Sequence, residues 1–188
     1  MKKLTLLMLG ILSILPQYAQ LPKELTLEEA LMDSTYRAGI DSAIQAAIGK
    51  PYPAFELVSL DGKVATEQDL RGKVTLINFW FSACAPCVKE MPYLEAFYNK
   101  YKNNPQVQLL SFARDHEAVA RDAVAQYKIP YAVYTVGNDY LRLNFRSGFP
   151  TNIIVDRQGN MVYHQMGLSE ESLPKLFEQV ERIVEEHL

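Results

Sequence analysis

Cys84 and Cys87 are the only cysteines among 188 residues, and they stand close together as Cys84-Ala85-Pro86-Cys87. The stretch before them, Val74-Thr75-Leu76-Ile77-Asn78-Phe79-Trp80-Phe81, is apolar and rich in β-branched and aromatic residues, which reads as a buried strand. The stretch after them turns helical. A cysteine delivered by a strand to a helix start meets free backbone N–H groups and the positive end of the helix dipole. Both favour a thiolate, which can bring a thiol from about 8.5 down to roughly 3.5–7.5. The thiolate is the form that attacks a disulfide. Cys84 is therefore the candidate nucleophile, expected to remain partly exposed. Cys87, one turn inward, is the candidate resolving thiol. A loop this short removes little entropy from the unfolded chain, so stapling the fold is a poor reason for the pair.

The helical pattern runs from Ala85 to Tyr101, with Val88, Met91, Leu94, Tyr98 and Tyr101 as its apolar positions. Pro86 suits the first turn, and Pro92 should kink the helix. Glu90 follows Cys87 by three residues and shares its face of the helix. Partly buried there, its carboxyl would have a raised pKa and could accept the proton of Cys87. The alternative is a solvated glutamate complementing the helix dipole. Lys89 could lower a cysteine pKa or simply be a solvated lysine. Asp115, His116, His164 and His187 carry no signal beyond that of surface residues. The histidines are too scattered to complete a zinc site with the cysteines.

Composition sets the frame. Hydrophobic residues make up 48% and the net charge is −3, with no basic run, so a core is affordable and a nucleic-acid surface is not indicated. Lys2 and Lys3, the apolar run Leu4–Leu15, Pro16 and Ala19 have the layout of a secretory signal over residues 1–19. Gln17 makes the cleavage site imperfect, and an uncleaved membrane anchor is the alternative. Residues 20–48 read as a helical extension. Thr26-Leu27-Glu28-Glu29 offers a capping box, Ile40, Ile44 and Ile48 share a face, Gly39 splits the segment, and Gly49 ends it. It serves as a packing arm or as a partner-binding one. Residues 49–188 form the main domain.

Within that domain the elements follow in order. Phe55–Val58 is a short strand, Asp61-Gly62 a turn, and Thr66–Leu70 one helical turn stopped near Gly72. After the cysteine helix come a strand over Val107–Ala113, a helix over His116–Tyr127 and a strand over Ile129–Val136. A short helix over Asp139–Phe145 leads to the turn Gly148-Phe149-Pro150-Thr151. Strand Asn152–Val155, a hairpin turn at Asp156–Asn160, strand Met161–Met166 and a helix over Ser172–Leu188 close the chain. The class is α/β, with a mixed central sheet flanked by helices.

At this point the chain resembles the thioredoxin superfamily, and within it the exported TlpA/ResA-type thiol–disulfide oxidoreductases. The likeness covers about residues 49–188. It rests on Pro53-Ala54-Phe55, Leu60-Asp61-Gly62-Lys63, Leu70-Arg71-Gly72-Lys73, Asn78-Phe79-Trp80 before Cys84-Ala85-Pro86-Cys87, Glu90 and Pro92, and Gly148-Phe149-Pro150-Thr151. The resemblance implies a thioredoxin-like fold and disulfide exchange with protein partners through a Cys84–Cys87 disulfide. It further implies reduction rather than oxidation, an upstream electron-donor protein, a periplasmic location and no bound cofactor. It supports a role for Glu90. It makes Pro150 a cis-proline opposite the cysteines, with the backbone of Phe149 beside Cys84 as a place for a partner segment. Trp80 is read as core or rim packing, with lining of the partner groove as its functional alternative. The chain departs from the pattern at Ala83, where the family commonly has Trp, and at Asn78, where thioredoxin proper has a buried Asp. Other functions remain open: a thiol peroxidase, disfavoured by Ile77 and Phe81 where such sites place Pro and Thr, or a metal-holding or interaction module on the same fold.

Overall fold

The structure is a computed structural model that describes residues 34–138, 140–141, 148–167 and 169–188. The chain divides into two units, Met1–Gly39 and Ile40–Leu188. Of the first, the described residues are helical and belong to α1, Ser34–Ala47. The expected signal over residues 1–19 and the capping box at Thr26 lie outside the described residues. Gly39 does not split the segment: α1 runs through it, since a glycine inside a helix costs only about 1 kcal/mol relative to alanine. Ile40, Ile44 and Ala47 are half-buried, whereas Ile48 lies beyond the helix and is exposed. Gly49 follows with φ +80°, a backbone region that glycine enters without a Cβ penalty, and its N–H reaches the Met161 carbonyl at 2.7 Å.

A five-stranded mixed sheet holds the second unit together. Its strands are β3 (Val74–Trp80), β4 (Val107–Ala113), β5 (Val133–Thr135), β6 (Thr151–Val155) and β7 (Met161–Met166). The spatial order is β5-β4-β3-β6-β7. The first three are parallel, while β6 is antiparallel to β3 and β7 is antiparallel to β6. The central strand β3 is buried at every residue, as a strand covered on both faces must be. Its even-numbered residues Val74, Leu76 and Trp80 join one core with α2 (Ala85–Tyr101), α3 (Glu117–Tyr127) and α4 (Leu173–Glu186). Its odd-numbered residues Ile77 and Phe79 join a second core with Tyr52, Phe55, Leu70 and Phe112. That second core is closed by a small hairpin, β1 (Glu56–Val58) and β2 (Val64–Thr66), and a 3-10 turn over Glu67–Leu70. Leu60 N–H to Val133 O at 2.8 Å fastens the hairpin loop to β5, covering what would otherwise be an open sheet edge. No helix among the described residues is long and apolar enough to cross a membrane.

Three sequence expectations change in detail. β2 was not foreseen. The strand expected over Ile129–Val136 shrinks to Val133–Thr135, because Ile129 belongs to the end of α3. Its N–H bonds Val124 O at 3.1 Å, past a left-handed Lys128. Of the expected helix over Asp139–Phe145, Tyr140 and Leu141 are helical, and Asp139 and residues 142–147 lie outside the described residues.

Candidate active site

The sheet delivers the cysteines as the spacing demands. β3 ends at Trp80, residues 81–83 turn, and Cys84 caps α2 in extended conformation, φ −83° and ψ 97°. Cys84 and Cys87 are joined as a disulfide, with Cα atoms 5.2 Å apart. The Cys87 N–H donates to Cys84 Sγ at 3.2 Å, so a helix N-terminal amide already addresses this sulfur. Cys84 is not partly exposed, however. It is 4% exposed and Cys87 1%. Phe81 and Phe149 pack against the cluster that contains both cysteines. These two rings meet edge to face, with centroids 5.2 Å apart. The Phe149–Pro150 peptide bond is cis.

Glu90 is not the solvated glutamate of the alternative reading. It is 0% exposed, in the middle of the α2 face formed by Cys87, Met91, Leu94 and Phe97. That face is centred one position away from the expected one, and Val88 and Tyr98 are only half-buried. A buried carboxyl needs donors. They come from two asparagines that β3 and β6 place directly opposite each other, Asn78 and Asn152. Asn152 Nδ2 donates to Glu90 Oε1 at 2.5 Å and Asn78 Nδ2 to Glu90 Oε2 at 3.0 Å. Asn78 Nδ2 also donates to Asn152 Oδ1 at 3.1 Å, closing a three-residue ring. Burial pushes the Glu90 carboxyl up from its ordinary 4.5 to about 7, against the opposing pull of the two amides. Asn78 Oδ1 has no partner among the described residues. Rotation of that amide would present an acceptor to a protonated Glu90. The group can thus hold or release a proton near neutrality, one helical turn from Cys87. Tyr131, whose hydroxyl pKa is raised by burial and then by Glu90, is the titratable neighbour across from it.

Trp80 is 2% exposed in the core, and its Nε1–H donates to Ser111 Oγ at 2.8 Å. Sequence reasoning passed over Asn152, whose signal lies only in its pairing with Asn78. It also passed over Asp115, which accepts the Ser82 N–H at 2.6 Å and ties the loop before Cys84 to the end of β4. The parallel register carries the signal: Trp80 pairs with Ala113, so Ser82 and Asp115 lie equally far beyond the sheet. Lys89 pairs with Glu170 on the surface. The sulfurs are bonded to each other, and no cluster of three or more His, Cys, Asp or Glu suited to a metal occurs among the described residues.

Comparison with known proteins agrees with this geometry. The family model for Redoxin matches residues 47–180. The chain is 30% identical over 162 residues to the thiol-disulfide oxidoreductase ResA of Bacillus cereus, covering 85% of this chain and 91% of that one. The thioredoxin domain of a thiol-disulfide oxidoreductase from Bacteroides vulgatus superposes with a TM-score of 0.62 at 28% identity, covering 73% of this chain and 98% of that one. A thiol:disulfide interchange protein from Bacteroides sp. gives 0.61 at 28% identity, covering 74% and 91%. The chain belongs to the Redoxin family, and it is a ResA/TlpA-like thiol–disulfide oxidoreductase of thioredoxin fold.

Proposed function

We propose that the protein reduces disulfides in partner proteins, with Cys84 as nucleophile, Cys87 as resolving thiol and Glu90 as the base that serves Cys87. In the dithiol form the Cys84 thiolate attacks a partner disulfide, forming a mixed disulfide and releasing one partner thiolate. Cys87 then gives its proton to Glu90 and attacks Cys84 Sγ. The second partner thiolate leaves, and the Cys84–Cys87 disulfide remains. Two electrons have passed to the partner, and a dithiol donor protein must return them before the next turn. The same steps reversed would oxidise a partner. The reducing direction rests on the likeness to ResA alone.

The observation that carries the assignment of roles is the buried Glu90 carboxyl, held by Asn78 and Asn152 and raised to about 7 by burial. A group of that pKa accepts a thiol proton at neutral pH and loses it again without a large penalty. The Phe149–Pro150 turn, whose Phe149 packs against the cluster that contains the cysteines, is the place assigned to the partner segment. Residues 1–19 are assigned as an export signal or anchor, residues 20–48 as a helical extension and residues 49–188 as the catalytic domain, working in the periplasm.

The test is stoichiometric reduction of a protein disulfide such as insulin by the isolated dithiol protein, alongside equilibration with glutathione. A reductant consumes one dithiol per disulfide and shows a potential near the low end of the range of about −270 to −120 mV spanned by such proteins. A potential near the high end would reverse the assigned direction. Full activity in Cys84→Ser would remove the assigned nucleophile.

A further inference from the structure

Arg114 is exposed near the cysteine segment and has no ion pair among the described residues. The β3–β4 register ends with Trp80 opposite Ala113, and the Arg114 N–H continues the ladder by donating to Trp80 O at 2.9 Å. Arg114 is thereby set opposite Phe81. Its guanidinium carbon lies 4.3 Å from the centroid of the Phe81 ring and 5.4 Å from that of Phe149. Phe81 lies three residues before Cys84 and Phe149 precedes the cis Pro150, so the exposed guanidinium is held beside the segments that flank the disulfide. A guanidinium held over an aromatic ring keeps N–H groups for hydrogen bonds, and their fork matches a carboxylate in bidentate fashion.

The neighbouring acid Asp115 accepts the Ser82 N–H, and Glu117 pairs with Arg121 at 2.7 Å. None of the ion pairs among the described residues involves Arg114. Beyond the guanidinium lies a cleft of about 650 Å³ at the carboxyl ends of β4 and β5, lined by Arg114, Asp115, His116, Glu117, Val119 and Thr135 among others. This is where an open α/β sheet commonly receives ligands.

We propose that Arg114 selects partners by taking an Asp or Glu carboxylate placed within a residue or two of the target cysteine. This rests on the disulfide-exchange reading and names the class of protein segment that site prefers. The attraction acts before any bond exchange, by holding the segment with its cysteine over Cys84.

Paired disulfide peptides of equal length, differing only in Glu against Gln next to the cysteine, are the probe. The dithiol form of the full chain and of Arg114→Gln and Arg114→Lys are compared by kcat/KM, with 2-hydroxyethyl disulfide as a substrate that carries no carboxylate. The expected result is a preference of wild type for the Glu peptide of about five- to tenfold at low salt, shrinking as salt rises. Arg114→Gln should bring the ratio to about one, and Arg114→Lys should keep an intermediate ratio. Equal rates on the two peptides in wild type, or an unchanged ratio in Arg114→Gln, would overturn the selection role while turnover of 2-hydroxyethyl disulfide keeps the exchange chemistry standing. Absence of that turnover in wild type would overturn both.

Discussion

Replacing Glu90 by Gln should flatten the dependence of stability on pH between about 4.5 and 7, the interval between the ordinary carboxyl pKa and the raised one. In this window the folded protein holds a proton on Glu90 that the unfolded chain has released. Stability therefore falls as pH rises, beginning near 4.5 and complete above about 7. The shift from 4.5 to about 7 corresponds to about 3 kcal/mol, at roughly 1.4 kcal/mol per pH unit. With a urea slope of about 1–3 kcal/mol per molar, the wild-type midpoint should drop by roughly 1–3 M across the window. His164 opposes this, because burial lowers its pKa and makes stability rise with pH up to the ordinary 6.5. It is present in both proteins and cancels in their difference. The assay is urea unfolding of the oxidised protein and of Glu90→Gln at pH 5 and pH 8. At pH 5 the variant's amide, like the protonated carboxyl it replaces, offers one acceptor oxygen and a donor that a rotated Asn78 amide can accept, so the two proteins should be close in stability there. At pH 8 it should exceed wild type. An identical pH slope in the two proteins would refute the buried, proton-holding Glu90.

Asn152→Ala should move the Glu90 titration further upward, because the amide that favours the carboxylate is gone; carboxyl chemical shifts followed against pH read this, and a midpoint that stays or falls would contradict it. Trp80→Phe should lower stability by about 1–3 kcal/mol through a cavity and a Ser111 hydroxyl left without its indole partner, while the turnover of small disulfides changes little. A large loss of turnover with unchanged stability would return Trp80 to the partner surface.

The sequence made the strand, the cysteine pair at the helix start and the closing hairpin legible, because each is a local pattern. Val74–Trp80 is apolar without a break, and Gly159 carries the positive φ that its turn position demands. What sequence could not show is which way side chains face where both sides are buried. β3 has no polar–apolar alternation, so nothing told Trp80 from a groove residue or Asn78 from a surface amide. The fate of Glu90 depends on Asn152, placed opposite Asn78 by a register between strands far apart in the chain. Its spacing from Cys87 gives the shared helix face but not whether that face meets water or the sheet. Arg114 and Asp115 gain their positions from the same kind of register, along β4. β2 escaped for a simpler reason: it has three residues, too few for a periodic signal.

Intact-mass analysis of Cys87→Ser incubated with a disulfide peptide decides whether Cys84 opens the exchange. The variant should accumulate one covalent adduct, through Cys84, that a small thiol removes. The wild-type dithiol should release both peptide thiols and end as its own Cys84–Cys87 disulfide. Failure of Cys87→Ser to form the adduct, or an equal adduct on Cys84→Ser, would contradict the assigned roles.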